Sequence, residues 1–347
     1  MIKGIKQLGI RLLGISMVFI SIAGHSQDIQ YSQFYANVLY LNPAFAGNAH
    51  ALRGIFHQRI QWPALDAKYI TSHLSVDNYF SNANSGVGVM IYKDWQGSNN
   101  ISSTEGAFQY AYELHLTPKH SFRAGIQASY VSRYINYSVL QFPDQYSSNG
   151  YLGKQTNQPT NNDNVQYLDL TSGGIFYSNN YWIGLAYAHM NRPNQSFYGE
   201  VSRLPYKLDF TAGYRIDFEK KNEMKEGNQG RDVYLTPTVH YKTQGKSDQL
   251  DLGIYFLYDH LITGFWYRGI PILKQYRNVL QNNESFVLLA GWRVNSLSIS
   301  YSFDNTVSKL ATANTGGSHE INITYLFDTK RKKKKIMKKI PCPHFYK

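Results

Sequence analysis

Ser318, His319 and Glu320 stand side by side and supply the residue types of a hydrolase: nucleophile, base and acid. Their spacing argues against that chemistry. In a strand, neighbouring side chains point to opposite faces, so His319 cannot meet both Ser318 and Glu320. His115 and His120 lie five apart around a turn, whereas metal ligands need convergent spacing. No phosphate loop, dinucleotide fingerprint, CxxC pair or HExxH occurs. Cys342 is the single cysteine, so no intramolecular disulfide can form. No catalytic, cofactor-binding or metal-ligating residue is expected, and the chain reads as a non-enzyme.

The elements that would carry these residues are more telling. Leu297, Ile299, Tyr301 and Phe303 alternate with Ser298, Ser300, Ser302 and Asp304. After a polar loop, Ile321, Ile323, Tyr325 and Phe327 alternate with Asn322, Thr324 and Leu326. This is a hairpin with one apolar, aromatic face and one polar face. A soluble sandwich hides such an apolar face against a second sheet, whereas an outer-membrane barrel shows it to lipid.

Composition favours the barrel. Mean hydropathy is negative, yet 29 Tyr, 18 Phe and 5 Trp occur among 347 residues. That balance suits strands that are half lipid-facing and half wet, with aromatic girdles. Residues 1–26 read as a secretory signal peptide: Lys3, Lys6 and Arg11 precede the apolar stretch 12–22, and Gly24 and Ser26 supply the small residues at −3 and −1 of a cut before Gln27. The net charge of +12 is confined to the ends. The signal carries three positive charges, residues 330–347 carry nine and no acid, and the body between is neutral. A nucleic-acid-binding body would carry its basic patch on the fold, so no nucleic-acid partner is expected.

Alternation predicts about 14 strands. They fall near 51–61, 67–78, 85–94, 101–116, 121–138, 165–178, 181–190, 205–218, 231–243, 249–258, 261–268, 284–294, 297–304 and 318–328. Several exceed the usual five or six residues and suit tilted membrane strands. Connection lengths alternate as well. Thr117 to His120, Asn179-Asn180, Asp259-His260 and Asn295-Ser296 are short, whereas 139–164, 191–204, 269–283 and 305–317 are long. This is the pattern of periplasmic turns and extracellular loops. The charged connection 220–230 breaks it. The expected organisation is a signal peptide (1–26), a segment that is either a plug or periplasmic (27–50), an all-β transmembrane antiparallel barrel (51–328) and a basic periplasmic tail (329–347).

Within this frame, Asn42-Pro43 and Gly47 mark turns before the first strand. Arg59 faces the lumen, and Trp62-Pro63 closes the first strand at the interface. Asp94 lies at the end of the third strand beside Trp95. Lys332, Lys333, Lys334 and Lys335 lie in the tail, which either docks an acidic periplasmic surface or is a solvated run.

Several of these segments resemble the PorP/SprF family of Bacteroidota outer-membrane proteins, associated with type IX secretion and gliding. Residues 30–47 (QYSQFYANVLYLNPAFAG) resemble its N-terminal signature, 56–62 its Arg-x-x-Trp element, and 86–97 its Gly-x-Gly strand ending in Asp-x-x-Gly. Residues 300–325 resemble its C-terminal signature most closely, and the ending with Cys342-Pro343 is similar to tails of the gliding-associated branch. The resemblance implies a non-enzymatic barrel in the outer membrane that helps export or display a secreted partner such as an adhesin, and that contacts other secretion components. Asn42, Pro43, Gly47, Arg59, Trp62, Asp94 and Lys332 to Lys335 are the candidate partner contacts. A general porin or solute transporter is the alternative reading.

Overall fold

The computed structural model describes residues 28–97, 101–158, 160, 162–198, 200–219, 232–270, 275–277, 280–281, 283–307, 314–327 and 340–341. Period-two alternation produces long strands in this order: β1 (Leu52–Gln61), β2 (Tyr69–Phe80), β3 (Ser85–Gln96), β4 (Ile101–His115), β5 (Ser121–Ile135), β6 (Asn164–Tyr177) and β7 (Tyr181–Ala188). They continue with β8 (Lys207–Tyr214, resumed at Ile216–Glu219), β9 (Val233–Gln244), β10 (Ser247–Tyr258), β11 (Leu261–Gly269), β12 (Asn283–Val294), β13 (Leu297–Thr306) and β14 (Ser318–Phe327). Each pairs antiparallel with its neighbour in sequence. β14 returns to β1, with Leu52 opposite Phe327 and Gln61 opposite Ser318. The result is a closed barrel of 14 strands. Closure leaves the sheet no exposed edge, the condition for a β structure to span a bilayer.

The alternation sorts the two faces. Phe108, Tyr110, Tyr112 and Leu114 point outward from β4, as do Ile299 and Tyr301 from β13 and Ile321, Ile323, Tyr325 and Phe327 from β14. Ser298, Ser300, Ser302 and Asp304 point inward, with Glu320, Asn322 and Thr324 beside them. This inner face is not wet, as alternation by itself suggests. All seven of those residues are at most 2% exposed, because the chain itself lies against them.

Connections at the two ends differ as the parity predicts. Residues 81–84, 116–120, 178–180, 259–260 and 295–296 form tight links at one end, here the turn end. The links 136–163, 189–206 and 307–317 lie at the other, the loop end. The parity is not strict at the loop end: the link between β3 and β4 spans only 97–100, and that between β9 and β10 only Gly245-Lys246. His115 ends β4 and His120 closes the turn at 116–120, where its Nδ1 meets Thr117 Oγ1 at 2.9 Å. The charged connection 220–230 lies outside the described residues.

Candidate functional site

Residues 28–50 run through the barrel from the loop end to the turn end. Tyr31 to Leu39 and Leu41 to Ala49 are all buried. At the loop end, Asp28 Oδ2 lies 2.9 Å from His189 Nε2 and 3.1 Å from Lys207 Nζ, and its Oδ1 accepts from Gln244 at 2.9 Å. His189 also meets Asp169 at 2.9 Å. Burial disfavours a charge on either partner, but pairing overcomes it. Asp28 is held well below the usual carboxylate range by His189 and Lys207, and His189 is pushed up to about 10 by Asp28 and Asp169. Both groups lie outside the strands.

Deeper in the lumen, Glu320 accepts the backbone N–H groups of Ser32 and Gln33, the latter at 2.8 Å. Arg59 pairs with the same carboxylate, with Asp304 at 3.2 Å and with Ser32 Oγ at 2.8 Å. His57 reaches Glu320 at 3.2 Å, and Arg268 joins Asp304 at 3.1 Å to Asp251 at 2.8 Å. The Glu320 whose neighbours suggested a hydrolase therefore anchors the inserted segment. His319 points outward, with Nδ1 2.7 Å from Tyr301 Oη.

The middle of the segment is apolar and aromatic. The Tyr35 ring lies 4.0 Å from that of Tyr255, and Leu39, Ala44, Phe45 and Ala46 are fully buried. Complete burial of a residue such as Leu39 or Phe45 contributes about 1.5–3 kcal/mol. Ile340, from the expected tail, is 1% exposed and belongs to the same apolar cluster as Phe34, Tyr234 and Ile262.

At the turn end the segment lies directly on the wall. Asn42 caps the 3-10 turn Pro43–Phe45 by accepting from Ala44 N at 2.9 Å, and donates to Leu185 O at 3.1 Å. Pro43 begins that turn, where its missing N–H costs nothing. Gly47 has φ +75 and donates to Asp77 Oδ2 at 2.7 Å; a side chain there would lie 2.7 Å from Gly86 Cα. Gly125 on β5 faces the backbone of Pro43 and Ala44 so closely that a Cβ would lie 2.6 Å from Ala44 Cα. Gly86, in the Gly-x-Gly strand, stands in the same relation to Ala46. These are positions where the wall must lack side chains. Arg123 donates from Nε to Ala44 O at 3.0 Å and from its terminal nitrogen to Ala46 O.

The structure thus places Asn42, Pro43 and Gly47 at the turn end, and Arg59, Trp62 and Asp94 together at the loop end. Asp94 is 3% exposed and accepts from Thr71 Oγ1 at 2.6 Å and Gln96 Nε2 at 2.8 Å. Trp62 adopts φ 56, a left-handed conformation costly for a bulky side chain, and its N–H donates to Gly317 O at 2.8 Å. Lys332, Lys333, Lys334 and Lys335 lie outside the described residues. Sequence reasoning did not single out Asp28, Ser32, Arg123 or Glu320 as the clamp. The available signal was an isolated charge at an inward-facing strand position, as at Arg123.

The barrel is similar to Omp33 of Acinetobacter baumannii at 8% identity and a TM-score of 0.42, covering 80% of this chain and 98% of that one. It is also similar to the toluene transporter TbuX of Ralstonia pickettii at 12% identity and a TM-score of 0.48, covering 88% and 96%. Likeness at this level supports no conclusion about transport. No curated protein matches the chain. The family described as "Type IX secretion system membrane protein PorP/SprF" matches residues 23–325, which take in the inserted segment and nearly all of the barrel. The chain belongs to the PorP/SprF family of type IX secretion system membrane proteins.

Proposed function

We propose that this barrel sits in the outer membrane and serves the secretion system as an accessory that assists export or surface retention of a secreted partner protein, without carrying solute. One observation supports this reading most: residues 28–50 occupy the lumen and are held by buried charges at one end and by backbone contact with the wall at the other. A diffusion porin needs an open aqueous path along its axis, and a tightly seated segment works against one. In this reading the loop end faces outward and meets the secreted partner, while the turn end and the basic residues 330–347 meet periplasmic components. Co-purification from native membranes with identification by mass spectrometry tests it. The expected result is a large secreted protein retained with the barrel, and loss of that protein from the surface when the barrel gene is deleted. Normal surface levels in the deletion strain would refute the reading, and a large steady conductance of the purified barrel in planar bilayers would favour a porin.

A further inference from the structure

Above the inserted segment, at the loop end, lies a cavity of about 340 Å³. Its wall includes Gln61 and Trp62 where β1 ends, Tyr69 where β2 begins, and Asp94 and Gln96 where β3 ends. Gln30 of the inserted segment forms part of its floor. Small-ligand sites are concave and combine apolar or aromatic surface with a few convergent polar groups. This cavity has both.

The Trp62 and Tyr69 rings meet edge to face, with centroids 5.6 Å apart and planes at 83°. In that arrangement one ring leaves a face uncovered by the other. Trp62 reaches this position through its left-handed backbone, locked by the bond to Gly317 O. The polar groups are planar and multivalent. Gln96 donates its Nε2 to Asp94, which leaves its carbonyl oxygen as an acceptor for a ligand. Gln30 donates its Nε2 to Glu284 at 2.9 Å and likewise keeps its oxygen. Gln61 uses its oxygen for Arg59 at 3.4 Å and retains its NH₂. Arg59 Nε is buried without a hydrogen-bond partner.

Charge decides the ligand class. Arg59 is already neutralised by Glu320 and Asp304, and Asp28 by His189 and Lys207. Among the described residues of the cavity no cation is left for an anion, and Asp94, bonded only to the neutral donors Thr71 Oγ1 and Gln96 Nε2, keeps lone pairs for hydroxyl donors. The remaining chemistry is an aromatic face beside amides, a hydroxyl and a hydrogen-bonded carboxylate. A pyranose ring matches it, because one face carries C–H groups and the edge carries hydroxyls that both donate and accept.

We propose that this vestibule is a binding site for a neutral saccharide, with Trp62 as the stacking surface and Gln30, Gln61, Gln96 and Asp94 pairing with the hydroxyls. The site is independent of which protein the barrel serves. The test is saturation-transfer NMR on the full mature barrel in detergent, with maltose, N-acetylglucosamine and methyl β-galactoside as probes. At least one probe should bind with a Kd on the order of millimolar, with transfer concentrated on the protons of one sugar face. Trp62→Ala and Gln96→Ala should each weaken binding about tenfold or more. Trp292→Ala, on the outward face of β12, should leave it unchanged. Should Trp62→Ala fail to fold, Gln61→Ala and Tyr69→Leu carry the same test. Absence of transfer to every probe, or binding that survives both Trp62→Ala and Gln96→Ala, overturns the proposal. A co-purifying peptide that fills the cavity and is not displaced by sugar overturns it as well.

Discussion

Replacing Gly125 by alanine should loosen the inserted segment from the wall. The new Cβ would sit 2.6 Å from Ala44 Cα. Carbon atoms in contact prefer about 3.5–4.0 Å, so the segment must retreat by about 1 Å. Overpacking of this kind costs about 1–3 kcal/mol. The retreat also stretches the 3.0 Å bond from Arg123 Nε to Ala44 O, and a bond from a charged donor is worth about 1.5–3 kcal/mol. Glycine-to-alanine changes at unstrained positions act the other way, by about 0.4–1 kcal/mol through the unfolded chain. The collision is the larger effect. A net loss of about 3 kcal/mol would raise the population of the displaced segment roughly a hundredfold. Single-channel recording in planar bilayers reads this directly: wild-type barrels should stay closed, and Gly125→Ala barrels should open often. Gly106→Ala is the control, because a Cβ there meets nothing within 4 Å. If Gly125→Ala matches wild type in both opening frequency and unfolding temperature, close seating of the segment on the wall is wrong.

The loop-end clamp should depend on pH at both extremes. The imidazolium of His189 has a raised pKa, so its contribution is complete below its unfolded value near 6.5 and disappears as pH rises through about 10. Asp28 is depressed, so its contribution is present above its unfolded value of about 3.9 and fades as pH falls further. Protease access to residues 28–33 should therefore be lowest near neutral pH; a flat profile between pH 3 and 11, on the order of these two limits, would count against the clamp. Glu320→Ala leaves His57 without its carboxylate and Arg59 with Asp304 alone, and should destabilise the barrel by about 3–5 kcal/mol, read as a lower temperature of heat-modified migration. Ile323→Arg puts a charge on the lipid face and should cost about 2–4 kcal/mol in vesicle folding assays, with little effect in detergent. Deleting residues 330–347 should weaken capture of periplasmic partners most at low salt; capture equal to wild type at low salt would refute docking through the tail.

The barrel was legible because its signal is local. Each strand declares its faces through neighbouring residues, as Leu297 to Asp304 do, and the expected strands coincide with the observed ones to within a few residues. The turn at Asn42-Pro43 was legible for the same reason, since Asn caps and Pro starts the short helix beside it. Arg59 was legible as an inward residue but not as a ligand of Ser32, because its partners come from segments distant in the chain. Ser32 and Glu320 are 288 residues apart, and Asp28 and Gln244 are 216 apart. No local pattern encodes such pairings.

The sequence by itself determined the alternation, the strand count, the two unlike ends and the family signatures, because these depend on period-two geometry and short-range turn chemistry. Only the tertiary structure decided what the inner face is for. Hydroxyls and carboxylates at inward positions suit a water-filled channel and a packed interior equally well. The choice depends on whether another part of the chain enters the barrel. Here residues 28–50 enter, and the glycines at 86 and 125 leave room for their backbone. Burial among opposite charges then turns a row of polar residues into the seat of an inserted segment.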